Sequence, residues 1–226
     1  MFVSLCRNAV LFMASVLATS VCAGMLQVSV VDPQGAPLAD AVVTLAGPPG
    51  ATSGPLKADM DQRDKVFYPH VLAVRAGTSV TFPNSDDIRH QVYSFSSSKR
   101  FELRLYQGTP AAPILFDQPG VVVLGCNIHD WMLGYIYVTQ DPWYGVSDEK
   151  GHLTFDNLPD GAYTLTLWHP QRPDLQPQPG GTLTMSRAPE SKVLTLAVAP
   201  VASEALVPPT SPFGDAFGKA LREDKE

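Results

Sequence analysis

Cysteine is scarce in this chain. Three residues of 226 are cysteines, an odd count that excludes a fully paired disulfide framework. Basic blocks are missing too. Sixteen Lys and Arg stand against 22 Asp and Glu, for a net charge of −6, so neither nucleic acid nor an anionic membrane surface is the expected partner. Beyond the N-terminal segment, no apolar run approaches the roughly 18–20 residues of a bilayer span. No 3.6-residue period is sustained before the C-terminal tail, and 21 prolines with 17 glycines argue against long helices. Neither H-E-x-x-H nor G-x-S-x-G occurs, which removes two common hydrolytic sites. The composition also argues against disorder for most of the chain, because 45% hydrophobic and 17% charged residues suit an ordinary globular core.

The first 23 residues are expected to be an export signal rather than part of the fold. Arg7 supplies a positive start, residues 10–18 (VLFMASVLA) form the apolar stretch, and Val21-Cys22-Ala23 is a small-residue cleavage site. A lipid anchor at Cys22 is the alternative, disfavoured because the preceding residue is Val21. Cleavage after Ala23 would remove Cys6 and Cys22 and leave an exported, periplasmic chain with one cysteine, Cys126. A lone thiol in an oxidising compartment is open to mispairing unless it is buried or bound to a metal.

The chain beyond Ala23 reads as all-β. Residues 26–31 (LQVSVV) alternate with period two, a turn (DPQG) lies at 32–35, and residues 41–45 (AVVTL) make a second strand. Short strands are expected at 71–74, 80–82, 91–95, 101–106, 121–124 and 135–138, then across 151–168 and at 193–198. Residues 47–55 form a Pro/Gly/Ser linker, and 201–226 a mobile tail ending in KALREDKE. Many short strands at this spacing suit a sandwich or barrel. Residues 30–45 carry V-x-D-x-x-G-x-P-L-x-x-A-x-V-x-L, and residues 151–165 carry G-x-L-x-F-x-x-L-P-x-G-x-Y-x-L. Both resemble carboxypeptidase-regulatory-like β-sandwiches of the immunoglobulin/transthyretin-like kind. More than 100 residues separate them, far beyond a normal connection, so a second β-domain is expected as an insertion. The expected division is 24–58 and 141–200 for the split sandwich and 59–140 for the inserted domain.

The chemistry gathers at Cys126-Asn-Ile-His129-Asp-Trp-Met132. Cys, His and Met are soft or borderline ligands, and a thiolate, two imidazoles and a weak axial Met are the donors of a type 1 copper site. Three of these come from one short loop. The second imidazole must come from elsewhere, and His90, in residues 80–92 (VTFPNSDDIRHQV), is the best candidate.

These two segments resemble the cupredoxins, the plastocyanin and amicyanin group of blue copper proteins. The family's V-x-F-x-N-x5-H-x-V is matched at Val80, Phe82, Asn84, His90 and Val92. Its Gly six residues before the ligand cysteine is matched by Gly120, and its short C-x2-H-x2-M loop by Cys126, His129 and Met132. The resemblance covers residues 65–139 and implies a Greek-key β-sandwich holding one copper through His90, Cys126, His129 and Met132. It also implies that Asn84 ties the His90 loop to the Cys126 loop, and that His129 passes electrons at the surface. Trp131, Leu133 and Pro83 would form an apolar docking patch, rimmed by Asp86, Asp87 and Asp130. The sequence departs from amicyanins at Asp130, where they often have Pro.

Each residue has a plainer alternative: a buried thiol at Cys126, a loop histidine at His90, a core methionine at Met132, a packing aromatic at Trp131, solvated aspartates on the rim. His70 is expected to have a structural or surface role, with an extra copper contact as the alternative, and His152 and His169 are expected to be structural. A site with four protein ligands has no open position for substrate, so no catalytic residue and no enzymatic activity is expected. The expected function is one-electron transfer between redox proteins, a dehydrogenase or a cytochrome c. The amicyanin-like loop implies a setting in methylamine oxidation. A copper carrier or storage protein and an envelope-binding module without redox chemistry are the alternatives.

Overall fold

The structure, a computed structural model, describes residues 24–49, 56–110 and 112–199. The expected signal segment and C-terminal tail lie outside the described residues, as does most of the Pro/Gly/Ser linker. The described residues form seventeen strands and no helix. In chain order these are β1 (Gly24–Val31), β2 (Val42–Ala46), β3 (Lys57–Asp59), β4 (Asp61–Arg63), β5 (Val66–Tyr68), β6 (Val71–Arg75), β7 (Thr78–Thr81), β8 (His90–Ser96) and β9 (Lys99–Tyr106). They continue as β10 (Ile114–Phe116), β11 (Gly120–Gly125), β12 (Leu133–Thr139), β13 (Trp143–Val146), β14 (His152–Leu158), β15 (Gly161–Trp168), β16 (Gln178–Met185) and β17 (Glu190–Thr195). The expected all-β class is what the structure has, and no helix among the described residues is long and apolar enough to cross a membrane.

Two apolar cores organise the strands. The first lies between a three-stranded sheet, β14-β1-β17, and a four-stranded sheet, β13-β2-β15-β16. Strand alternation explains it directly: along β1, Leu26, Val28 and Val30 turn inward, and they meet Val43 and Leu45 of β2 and Tyr163, Leu165 and Leu167 of β15. The second core lies between β10-β7-β3 and the five-stranded sheet β6-β12-β11-β8-β9. It contains Val80, Phe82, Val92, Phe116, Val122, Leu124 and Ile136, together with Cys126 and Met132. The chain leaves the first sandwich at the end of β2, builds β3 to β12, and returns as β13. That strand pairs antiparallel with β2, from Trp143 opposite Leu45 to Val146 opposite Val42.

A third, smaller apolar cluster joins the two. Val42 and Trp168 come from the first sandwich, Val71 and Tyr137 from the second. The Trp168 ring packs on Tyr135 and Tyr137, with centroids at 5.7 and 5.6 Å, and its Nε1–H donates to the Leu175 carbonyl at 2.9 Å. A polar contact lies beside it, where Asp40 Oδ2 meets His70 Nδ1 at 2.8 Å and His70 packs edge-on against Tyr135. His70 thus sits at the junction, partly exposed, with its ring held by Asp40 and Tyr135. His169 lies nearby, with Nε2–H donating to the Ala39 carbonyl at 2.8 Å and Nδ1 accepting from the Gln171 N–H at 3.1 Å. Both ring nitrogens are therefore used by the neutral imidazole.

The junction is testable in two ways. Trp168 is fully buried, so Trp168→Ala is expected to cost about 3–5 kcal/mol of stability in urea unfolding; a loss below about 1 kcal/mol would mean that the junction does not hold the two cores together. The second test concerns pH. Burial pushes the His169 pKa below the usual imidazole value, and the nearby His70 pushes it the same way, against the Ala39 carbonyl and Asp40. Above about pH 6.5 neither folded nor unfolded chain is protonated there, so this contribution to stability is complete. Below that pH the unfolded chain binds a proton that the folded one resists, and stability falls. His169→Gln is expected to reduce the loss in urea midpoint between pH 7.5 and 5.5, and an unchanged loss would contradict the assignment.

Candidate metal centre

The ends of three adjacent strands build the site. His90 opens β8, Cys126 directly follows β11, and the loop from Cys126 to Met132 leads into β12. β11 pairs with β8 at Gly125 opposite Tyr93 and with β12 from Gly120 to Gly125, so the ends of all three converge. The loop is short and tight: the Met132 N–H donates to the His129 carbonyl at 2.9 Å. Two glycines flank it because aromatic rings press on the backbone there. A Cβ on Gly125 would lie 2.7 Å from the Tyr93 ring, and one on Gly134 2.7 Å from Phe67 Cβ. No side chain fits at either position without moving the ring.

Three of the candidate side chains lie together. Cys126 Sγ lies 3.9 Å from His90 Nδ1 and 3.9 Å from His129 Nδ1, and the three ligand atoms fall within 4.8 Å of one another. The His90 and His129 rings have centroids 4.9 Å apart. Cys126 and His90 are buried, while His129 is half-buried. This donor set fits a metal ion. Bonds of about 2.3 Å to sulfur and about 2.05 Å to nitrogen, spread at about 120°, separate the two donors by about 3.8 Å, and a tetrahedral angle by about 3.6 Å. The two Cys126–histidine separations are of the size that one metal ion bound to sulfur and nitrogen would span. Burial lowers the His129 pKa, helped by the neighbouring His90 and Lys65 and opposed by Asp86, so its neutral, ligand-competent form is favoured.

Met132 is fully buried and packs in the same apolar cluster as Cys126. Trp131 lies against the His129 ring at 5.2 Å between centroids, and Leu133 is exposed. Pro83 is half-buried, and its carbonyl accepts from the Gln62 backbone N–H at 3.0 Å and the Gln62 Nε2–H at 3.2 Å. Ile88 and Ile128 are exposed apolar residues close in sequence to the two histidines. No periodicity or motif in the sequence distinguishes them from core residues.

Two expectations are corrected. Asn84 does not bond to the Cys126 loop. Its Nδ2 donates to the Ile88 carbonyl at 2.9 Å and to the Tyr106 carbonyl at 3.0 Å, and its Oδ1 accepts from the Asp86 N–H at 3.0 Å. It therefore braces the His90 loop internally and against the end of β9. Asp86 is not part of a solvated rim. Its carboxylate accepts from the backbone N–H groups of Asp64 and Lys65 at 2.7 and 2.9 Å and meets His90 Nε2 at 2.7 Å. Burial pushes the Asp86 pKa up, but the hydrogen bonds from Lys65, His90 and Asp64 outweigh it and hold the group below the usual carboxylate range. Asp87 and Asp130 are exposed, as a rim requires.

Tyr106 closes the inner side. Its hydroxyl donates to the Phe82 carbonyl at 2.7 Å and accepts from Gln62 Nε2. Burial, the main cause, raises its pKa to about 12, so the phenol keeps its proton.

Comparison with known proteins adds partial likenesses. No protein-family profile and no curated protein matches the chain. Among solved structures, a copper-containing nitrite reductase from Thermus scotoductus is 28% identical over 41% of this chain, with a TM-score of 0.35; the match spans a quarter (25%) of that chain. A purple cupredoxin from Nitrosopumilus maritimus is 22% identical over 36% of this chain and 99% of its own, with a TM-score of 0.33. A Cu(I) structure of an amicyanin variant is 18% identical over 43% of this chain and 98% of its own, also with a TM-score of 0.33.

The packing at the loop's edge makes a prediction. Gly125→Val drives a branched side chain into the Tyr93 ring and is expected to cost about 1–3 kcal/mol in urea unfolding. A variant with the wild-type urea midpoint would show that Tyr93 does not set the position of the Cys126 loop.

Proposed function

We propose that this protein is an exported, periplasmic electron carrier with one type 1 copper bound by His90, Cys126 and His129, and by Met132 as the weak axial ligand. The observation that carries this reading is the clustering of one thiol and two imidazoles, with Cys126 Sγ 3.9 Å from each histidine Nδ1, at one end of a β-sandwich. Copper, when bound, supplies a one-electron Cu(I)/Cu(II) couple. The protein supplies the rest. Strands β8, β11 and β12 hold the donors in one arrangement, so little nuclear movement accompanies the change of charge. Burial of Cys126 and His90 keeps water from the thiolate. Half-buried His129, with Trp131 against its ring, offers the path to the surface, and Trp131, Leu133 and Pro83 form the apolar contact for a redox protein. A dehydrogenase and a cytochrome c are the partner classes, with methylamine oxidation as the setting. The inserted unit, β3 to β12, is the cupredoxin domain, and β1 and β2 with β13 to β17 form the carboxypeptidase-regulatory-like sandwich that carries it.

Addition of one equivalent of Cu(II) to the metal-free protein is expected to give an intense visible thiolate-to-copper absorption, absent in Cys126→Ser. Reversible one-electron voltammetry then separates an electron carrier from a protein that only holds copper. A wild-type protein that takes up Cu(II) without that absorption would overturn the proposal.

A further inference from the structure

The His90 ring has two nitrogens, and the metal reading uses only Nδ1. The other nitrogen has a built environment. Nε2 meets Asp86 Oδ2 at 2.7 Å, and that carboxylate also accepts from two backbone N–H groups, Asp64 to Oδ1 at 2.7 Å and Lys65 to Oδ2 at 2.9 Å. Asp64 and Lys65 are the two central residues of the β4–β5 hairpin turn, with φ of 54° and 61°. Two consecutive left-handed residues make the tight hairpin turn whose twist suits the strands, normally built with Asn-Gly or Asp-Gly. Here no glycine occupies it, and the turn's two N–H groups converge on one carboxylate 21 and 22 residues further along the chain.

The hairpin is tied to the same loop elsewhere. The Gln62 N–H donates to the Pro83 carbonyl at 3.0 Å, and the Ser85 N–H to the Gln62 carbonyl at 2.9 Å. Ser85 Oγ donates to the Asp61 carboxylate at 2.8 Å. Asp86 is thereby fixed from both sides, by the hairpin tip and by its own N–H on Asn84. A carboxylate bound this way accepts from His90 Nε2–H, so the Nδ1 lone pair faces Cys126.

We propose that Asp86, clamped by the β4–β5 turn, is a positioning residue that fixes the His90 tautomer and ring orientation and biases the centre toward the more highly charged Cu(II). The physical reason is donation. A carboxylate on the far nitrogen makes an imidazole a stronger base and holds its orientation, and loss of such a partner typically weakens metal binding by about 10–100-fold. The stronger donor favours Cu(II) over Cu(I) and lowers the reduction potential. The part of the inference that concerns potential rests on the copper reading proposed above; the tautomer does not.

The test compares Asp86→Ala, which removes the acceptor, with Asp87→Ala, which removes the same charge from an exposed neighbour. In the metal-free protein, long-range ¹H–¹⁵N spectra of the imidazoles are expected to show His90 protonated at Nε2 in the wild type and in Asp87→Ala, and to show loss of that single tautomer in Asp86→Ala. In the copper-loaded protein, Asp86→Ala is expected to lose about tenfold in Cu(II) affinity relative to Cu(I), a rise in potential of about 59 mV. Asp87→Ala is expected to shift it by less than a third of that. If Asp86→Ala does not fold, Asp86→Glu serves, since it retains an acceptor and is expected to keep the Nε2–H tautomer; a Glu variant with the Nδ1–H form would overturn the proposal. An Asp86→Ala protein with the wild-type tautomer and a potential matching Asp87→Ala would reduce Asp86 to a cap on the hairpin turn. Absence of the thiolate absorption from the wild type overturns the copper reading instead, and the tautomer result then still decides whether Asp86 positions His90.

Discussion

The structure turns on bringing one thiol and two imidazoles to a single point that is nearly closed to water. Strand pairing draws them together. His90 begins β8, Cys126 directly follows β11, and the pairing of Gly125 with Tyr93 sets those strand ends side by side. The loop that carries His129 returns at once into β12, which pairs with β11 along its length. The donors are thus fixed at separations of 3.9 Å by the same hydrogen bonds that make the sheet. A pre-formed site of this kind resists the rearrangement that a change in metal charge would otherwise demand.

A layered set of contacts holds the strand ends. Aromatic rings press on glycines at both ends of the ligand loop, Tyr93 on Gly125 and Phe67 on Gly134. Asn84 braces the His90 loop against β9, and Asp86 braces the His90 ring against the β4–β5 turn. Gln62 and Tyr106 fill the space beneath, with Tyr106 bonded to Phe82 in the core. On the far side, Tyr135 and Tyr137 pack on Trp168, so β12 leaves the site as part of the seam between the two sandwiches. The junction and the candidate metal centre share one strand.

Most of this is legible in the sequence where the signal is local. Alternation of Leu26, Val28 and Val30 marks β1, and C-x-x-H marks the loop that brings Cys126 and His129 together. The segment 57–68 is not legible. Its strands are three residues each, its residues are largely charged, and its turn has two left-handed positions with no glycine to announce them. β16 is hidden by Gly180 and Gly181 in its middle, which read as a loop. The role of Asp86 is hidden for the same reason as the hairpin, because its partners come from a turn that the pattern does not reveal. In isolation, Asp86 and Asp87 look alike; the fold sets one, half-buried, against His90 and leaves the other in solvent. The family resemblance misleads on Asn84, whose amide finds Ile88 and Tyr106 rather than the cysteine loop.

The proposal that His90, Cys126 and His129 together hold one copper in a geometry dictated by the protein is tested most directly by X-ray absorption. The copper-loaded protein would be measured in both oxidation states. One sulfur and two imidazole nitrogens at nearly the same distances in Cu(I) and Cu(II) are the predicted result. A copper surrounded only by oxygen and nitrogen, or one that changes its coordination number on reduction, would contradict the account.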